Sequence, residues 1–426
     1  MDRTTSRPRA IIPALRSRNY RLFFFGQGVS LIGTWMTQTA TVWLVYQLTQ
    51  SALLLGIVGF TSQIPSLFLA PFGGVLVDRW NTHKILVATQ VLSMIQSLAL
   101  AVLALTGVIN IWYFIFLSLL QGSINAIDAP ARQAFVSEMV EKREDLASAI
   151  ALNSSLVNGG RLIGPAIAGF IIARIGASYC FLIDGLSYIS VIAALLAMRL
   201  NPKQKVIKIG NPLQRIQEGF IYSFGFSPIR SILLLLALFS LMAMPYVTLM
   251  PIFATKILAG DARTLGYLMA ASGVGALIGG IYLSTRKTVL GLGKVIALAP
   301  AIAGVGIIIF ALSKFIWLSL LMSLIIGLGS ILQISSSNTV IQTIVEDEKR
   351  GRVMSIFTMF FLGMVPFGNL LAGIFADRIG APTTLIIGGS FCVIGSLFFL
   401  RQLPKLRQAA LPVYQKLGIV QRSSQE

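Results

Sequence analysis

Twelve apolar runs of about 20 residues begin near Leu22, Ala52, Lys84, Ile111, Ala147, Ser178, Ile229, Thr264, Lys294, Ile316, Val353 and Pro382 of this 426-residue chain. Each is long enough to cross roughly 30 Å of hydrocarbon as a helix. Inside a bilayer no water satisfies backbone N–H and C=O groups, so such a run must bond to itself. With only 12% of residues charged and a mean hydropathy of +0.81, a water-soluble chain is excluded. The expected fold class is an all-α membrane protein with twelve transmembrane helices. The basic start from Arg3 to Arg21 precedes an apolar run too long for a signal-peptide core and without a clear small-residue cleavage site, so it reads as a retained first helix.

The chain is also duplicated. The segments Ala168-Gly-Phe-Ile-Ile-Ala-Arg-Ile-Gly-Ala177 and Ala372-Gly-Ile-Phe-Ala-Asp-Arg-Ile-Gly-Ala381 are near-copies 204 residues apart, and Gly74 leads to Asp78 and Arg79 in a related way. Near the same offset Gly73 and Gly74 return as Gly279 and Gly280, and Ser118, Gly122, Val140 and Glu141 as Ser323, Gly327, Val345 and Glu346. Duplication in an apolar chain marks a secondary transporter whose halves rock about a shared central site. The clearest break in hydrophobicity lies between Arg199 and Pro228. It divides the chain into a six-helix half over 1–200, a cytoplasmic linker over 201–227, and a second six-helix half with a cytoplasmic tail over 228–426. In the linker, Leu213, Ile216, Phe220 and Phe224 recur at helical spacing among polar residues, which suits a helix on the membrane surface or a solvated connector.

The formal net charge of +19 falls in alternate loops rather than on one patch, so topology explains it and nucleic acid is not an expected partner. One side holds Arg3 to Arg21, Arg79, Lys84, Arg132 to Arg143, Arg199 to Arg230, Arg286 to Lys294, Lys349 to Arg352 and the tail from Arg401. The other keeps only Arg174, Lys256, Arg263, Lys314 and Arg378. Both termini are therefore expected in the cytoplasm. The loops leave no room for a soluble catalytic domain, and no metal cluster, nucleotide loop or nucleophile–base set is present in the sequence. An enzyme, a cofactor and a metal are not expected. Cys180 and Cys392 have neither disulfide nor metal-site spacing. The expected partners of a monomer are the lipid bilayer, protons and a small-molecule substrate.

Ionisable groups in the hydrocarbon cost about 2.5–3.5 kcal/mol each at a helix centre and mark function by default. Asp128, Arg161 and Asp184 stand out. Gln121, Asn125, Asp128 and Arg132 fall at i, i+4, i+7 and i+11, on one face of the fourth span. At an offset of 205 the tenth span answers with Ser330, Gln333 and Ser337, a neutral version of that face. The fifth span offers Ser154, Asn158, Arg161 and Pro165, and the first Thr34, Gln38 and Thr41 beside Trp35. Brought together, such faces would line a cavity; as interhelical hydrogen bonds they would serve packing instead.

Candidate substrate contacts are Trp35, Gln38, Gln121, Asn125, Asn158, Met244, Gln333 and Ser337. Met244 is one of several methionines, with Met242, Met250, Met354, Met359 and Met364, whose flexible thioethers suit an adaptable wall. Candidate proton-coupling residues are Asp128, Arg132, Arg161 and Asp184. A structural ion pair is the competing role for Asp128 with Arg132. Asp184, about seven residues into the sixth span, is a candidate proton carrier or a partner for Arg161. His83 reads as a solvated loop residue. The small residues from Gly160 to Gly169 favour close helix packing, with Pro165 able to bend the helix.

These residues resemble the major facilitator superfamily from Leu15 to about Pro404. Gly74-Val-Leu-Val-Asp78-Arg79 with Lys84 resembles the signature between helices two and three, and Gly160 to Gly169 the helix-five signature associated with antiporters. Ala129 to Ala134, Arg161 to Pro165 and Lys349 to Ser355 look like the exporter branch that includes the enterobactin exporter and macrolide efflux proteins. Asn81 stands where the superfamily usually has Gly, and Thr82 and His83 where basic residues are frequent. Asn tolerates the left-handed conformation of a tight turn.

The resemblance implies two pseudo-symmetric six-helix bundles, with gating by Asp78, Arg79, Gly164 and Pro165. It implies for Asp78 a gating contact with the N-terminus of helix eleven, where a carboxylate is favoured by the helix dipole, near Arg132. It further implies a bacterial inner-membrane exporter that couples efflux of a siderophore, macrolide or other drug-like amphiphile to proton entry by alternating access. Lipid or lysolipid transport, or a transport-inactive receptor or scaffold on the same fold, are the alternatives.

Overall fold

The computed structural model describes residues 13–140, 143–199, 212–286 and 288–419, without the side chains of 70, 71, 75, 78, 137, 143 and 212–216. In the first half come α1 (Arg18–Thr49), α2 (Ala52–Thr61), α3 (Ile64–Arg79), α4 (Thr82–Leu105), α5 (Ile111–Met139), α6 (Leu146–Ile175) and α7 (Ser178–Leu196). After α8 (Pro212–Gly225), the second half contains α9 (Ser227–Met242), α10 (Tyr246–Ile252), α11 (Ala262–Ser284), α12 (Leu292–Leu312) and α13 (Ile316–Ile344). It closes with α14 (Asp347–Leu362), α15 (Met364–Ile379) and α16 (Ala381–Lys416).

Among the described residues, eleven helical segments are long and apolar enough to cross a membrane. The 32-residue α1 makes the twelfth span and carries Gln27, Ser30, Thr34, Thr37 and Gln38 along its length. Polar caps fix where several spans begin: Ser51, Asn110 and Asp261 each accept hydrogen bonds from the first-turn amides of α2, α5 and α11. Asn81 does the same for α4, accepting from Lys84 N at 3.2 Å. Its φ of −68° is extended. The left-handed turn expected there does not form, because the side chain is used as a cap. His83 is likewise not a loop residue; it lies in the first turn of α4 and bonds Leu195 O of α7 through Nε2 at 2.8 Å.

Three spans are interrupted. α2 passes to α3 ahead of Pro65, α9 to α10 at Pro245, and α14 to α15 at Gly363 ahead of Pro366. Proline removes a backbone donor and clashes with the preceding turn, which explains why the breaks fall there. The two halves share one packing scheme: α4 packs on α5 and α7, and α3 on α5, as α12 packs on α13 and α16, and α11 on α13. The duplication seen in the sequence is therefore a structural one. Trp112 and Trp317, at the starts of α5 and α13, occupy equivalent exposed positions where indole rings sit at a membrane–water boundary.

The amphipathic stripe of α8 neither faces outward nor hangs free. Phe220 and Phe224 pack on Phe360 of α14 at 6.1 and 5.9 Å between ring centroids. Glu218 pairs with Arg352 at 2.6 Å, and Lys349 Nζ sits 4.6 Å over the Tyr222 ring. Protein rather than lipid covers this part of the apolar face. Leu213 and Ile216 fall among the side chains outside the described set.

Candidate functional site

The halves meet mainly along two seams, α6 with α11 and α2 with α15. Both lie toward the side of the molecule opposite the chain ends. In the first, a Cβ at Gly169 would come 2.7 Å from Ala262 O, and one at Gly266 would come 2.6 Å from Pro165 O. In the second, a Cβ at Gly56 would come 2.6 Å from Asn369 O, and one at Gly373 would come 2.8 Å from Ala52 O. Only glycine permits backbones this close. Gly169 and Gly373 are equivalent residues of the duplicated segment, and each packs on a glycine of the opposite half. Ser51 Oγ adds a bond to Asp377 at 3.4 Å, and Thr39 Oγ1 reaches Met269 Sδ at 3.6 Å.

Toward the chain ends the same helices diverge. Ser154 and Ser155 on α6, Ile281 and Tyr282 on α11, Phe68 and Phe72 on α3, and Thr358 and Met359 on α14 are exposed. There a Cβ at Gly159 of α6 or Gly280 of α11 would meet nothing within 4 Å, so the halves stand apart and leave a cleft that is closed at the far side. Gly273 packs against the backbone of Arg161 and Leu162, so Arg161 marks the point where the α6–α11 seam gives way to the cleft.

The polar face of α5 is split. Asn125 is exposed and Gln121 half-buried, its Nε2 donating to Asn125 Oδ1 at 3.0 Å and to Ser93 Oγ at 3.2 Å. Asp128 turns inward and is only 4% exposed. Its Oδ1 accepts from Thr89 Oγ1 at 2.7 Å and Gln90 Nε2 at 2.8 Å, both on α4, while Oδ2 is paired with Arg132. This carboxylate is fully engaged within the first half. A buried pair of this kind is costly to break, because removing one partner leaves the other charge uncompensated.

Asp184 is the more enclosed carboxylate, at 2% exposure on α7. Its Oδ2 accepts from Ser97 Oγ at 3.0 Å, and Gly33 of α1 packs directly on it. Its Oδ1 and the nearby Thr37 Oγ1 are enclosed without hydrogen-bond partners. Asp184 forms no ion pair with Arg161, so that possible partnership is absent here.

Arg161 is the sixteenth of the thirty residues of α6, at mid-span. It is half-buried, and no hydrogen bond or ion pair to its side chain occurs among the described residues. Its guanidinium carbon sits 5.9 Å from the centroid of the Trp35 ring. Gly160 and Gly164 make room for this arrangement: a Cβ at Gly164 would come 2.5 Å from Trp35 Cβ, and one at Gly160 would come 3.0 Å from Trp35 Cδ1. A cation–π contact is worth about 0.5–2 kcal/mol, against about 2.5–3.5 kcal/mol for a cation at a helix centre. The indole alone does not compensate the charge. Arg161 also lies within electrostatic reach of Tyr246 of α10, whose hydroxyl donates to Ser272 Oγ at 2.6 Å.

Of the other expected substrate contacts, Gln38 is exposed, Trp35 and Met244 are half-buried, and half-buried Asn158 donates to Ser154 O at 2.9 Å. Gln333 and Ser337 are different. Both are fully enclosed within the second half and do not reach the cleft in this conformation; the exposed face of α13 carries Thr339 and Gln342 instead. The equivalence with Asp128 and Arg132 holds in that Gln333, like Asp128, turns into its own bundle. Met250 is fully buried, whereas Met359 is exposed. Among the gating candidates, Gly164 and Pro165 are buried in the α1–α6–α11 contact, Arg79 is exposed at the end of α3, and the Asp78 side chain lies outside the described set.

The sequence reading missed the interruptions near Pro65, Pro245 and Pro366, which bring Leu67 against Gly363 across the halves. It also missed Thr248, which bonds Asn369 at 3.0 Å. Paired Pro- and Gly-broken spans in the two halves were the available signal.

Residues 10–417 match the model of a family described as transmembrane secretion effector. The staphyloferrin A transporter of Staphylococcus aureus is 29% identical, over 91% of this chain and 97% of its own. Macrolide efflux protein A of Streptococcus pyogenes is 23% identical over 88% and 94%, and the multidrug efflux pump Tap of Mycolicibacterium fortuitum 26% over 92% and 97%. Among solved structures, a bacterial homologue of the lysosomal transporter Spinster, inward-facing and occupied, has a TM-score of 0.71 at 13% identity over 95% of this chain and 99% of its own. A peptide transporter of the POT family reaches 0.71 at 14% identity over 91% and 96%. At such identities the structural likeness establishes the fold alone. The chain therefore belongs to the transmembrane secretion effector family, an exporter branch of the major facilitator superfamily, and is a multi-pass membrane transporter rather than an enzyme.

Proposed function

We infer that this transporter exports an amphipathic small molecule, a siderophore, macrolide or other drug-like compound, by proton antiport across a bacterial inner membrane. The observation that carries the reading is the one-sided seal. Glycine-to-glycine seams close the side opposite the chain ends, while a cleft with Asn125, Asn158 and Gln38 among its polar groups opens on the other. With both termini cytoplasmic, as the basic loops argue, this is the inward-open state of an alternating-access cycle. Names of relatives that include a siderophore transporter, a macrolide efflux protein and a multidrug pump support export of such cargo.

Proton coupling is assigned to Asp184 and to the Asp128–Arg132 pair. Both carboxylates sit inside the first half, off the cleft, where protonation would change how α1, α4, α5 and α7 pack rather than how cargo is held. Gating on the cytoplasmic side is assigned to Asp78 and Arg79, and the bend and close approach of α6 to Gly164 and Pro165.

The test is efflux from cells expressing the chain and loaded with staphyloferrin A, erythromycin or amphipathic dyes. Accumulation of at least one should fall, and collapsing the proton gradient should restore it. No gradient-dependent change for any member of the panel would sink the reading. A reporter fused after Gly210 should report cytoplasm and one after Thr106 or Ser313 the outside; the reverse pattern would invert the assigned state.

A further inference from the structure

Arg161 is the group that the proposed proton pathway leaves unused. It sits at the apex of the cleft, at mid-span, with an indole on one side and Tyr246 within electrostatic reach. Neither interior carboxylate pairs with it: Asp128 is bonded to Arg132, Thr89 and Gln90, and Asp184 is enclosed in the α1–α4–α7 contact, where its Oδ2 accepts from Ser97. In the open cleft, water can solvate an unpaired guanidinium. Alternating access would draw the cleft walls together over Arg161 and exclude solvent from it. An empty cleft would then enclose a bare charge, which is strongly disfavoured.

We propose that Arg161 is the anchor for a carboxylate on the cargo, which narrows the proposed cargo to amphipathic anions and away from macrolides, which carry no carboxylate, with the apolar part of the cargo lying along Trp35. The planar guanidinium offers parallel N–H donors to a carboxylate, and the Trp35 face leaves its edge free to donate them. The cargo charge supplies the missing counter-ion, so a loaded cleft closes more readily than an empty one. Binding and the conformational step are thereby linked through a single side chain. This inference rests on the exporter reading for its cargo but concerns binding, and the two fail separately.

The test uses the full-length protein in nanodiscs with matched fluorescent probes: dansyl-leucine and dansyl-phenylalanine, each against its own methyl ester. Wild type should bind a free acid at least about tenfold more tightly than its ester, the gain expected of a charge-assisted hydrogen-bonded pair. Arg161→Gln should abolish the preference while leaving ester binding within about twofold, which also shows that the variant is folded. Arg161→Lys should keep part of it, having charge without the fork. The proposal is overturned if neither free acid binds better than its ester, or if the preference survives in Arg161→Gln. Acid-selective binding without any transport would instead leave the site standing and remove the exporter reading.

Discussion

Replacing Gly266 by Ala should push the transporter out of the state described above. The new Cβ would lie 2.6 Å from Pro165 O and 3.0 Å from Gly169 Cα, both backbone atoms that cannot rotate away. Overpacking of this kind costs about 1–3 kcal/mol. Alanine favours helix over glycine by about 1 kcal/mol, but equally in both states of the cycle, so that term cancels. The steric cost does not cancel, because it exists only while α6 and α11 are in contact. A differential cost of about 1–3 kcal/mol shifts the equilibrium roughly 5- to 150-fold toward the far-side-open state. Thr39→Cys, in a background with Cys180 and Cys392 replaced by serine, places a thiol in the seam, since Thr39 is fully buried against Met269. Its rate of reaction with a water-soluble maleimide should rise by that factor. Gly280→Ala on the same helix is the control, since a Cβ there meets nothing within 4 Å. Equal labelling rates in the Gly266→Ala and Gly280→Ala backgrounds would refute the seam as a gate.

Further outcomes are expected on stability. Arg132→Ala strands a carboxylate that is 4% exposed and should cost about 3 kcal/mol, at the lower end of the range for buried pairs because Arg132 itself is 30% exposed; Asp128→Asn should cost less, and thermal unfolding in detergent orders the two. Gln333→Leu removes an amide whose Nε2 and Oε1 are both enclosed without partners, so it should raise stability by about 1–3 kcal/mol; a loss would mean that the amide is bonded after all. Asp261→Ala removes the N-cap of α11 and should cost about 1 kcal/mol at neutral pH. Desolvation raises the Asp261 pKa, but the hydrogen bonds from Arg263 and Thr264 outweigh it and hold it below the usual carboxylate range. Its stabilisation is therefore complete above the unfolded pKa of about 4 and fades as pH falls through the lowered folded value. The gap between wild type and Asp261→Ala should close in unfolding curves taken below about pH 4.

Hydropathy runs located the spans because a bilayer admits few alternatives to a self-bonded helix, and the repeat around Gly169 and Gly373 marked the duplication whose equivalent glycines the structure places in the two seams. Small residues repeated at one offset in two halves mean close backbone approach at two symmetric places. Side-chain direction was less legible. Helical spacing puts Gln121, Asn125, Asp128 and Arg132 on one face, but that face spans both the cleft and the packing against α4, and Asp128 falls on the packed side. Gln333 and Ser337 likewise fall on the packed side of α13 in this conformation. The linker periodicity was plain, yet nothing in it specified Phe360 as the surface that would cover Phe220 and Phe224. Arg161 could be singled out only once Asp128 and Asp184 were seen to be held elsewhere.

Proton-coupled export can be read as proton flux in proteoliposomes carrying a trapped pH dye. On addition of whichever of staphyloferrin A or erythromycin the efflux assay identifies, wild type should move protons opposite to cargo. Asp184→Asn or Asp128→Asn should bind that cargo yet lose the flux. Cargo movement with no accompanying proton flux, or wild-type coupling in both variants, would contradict the account.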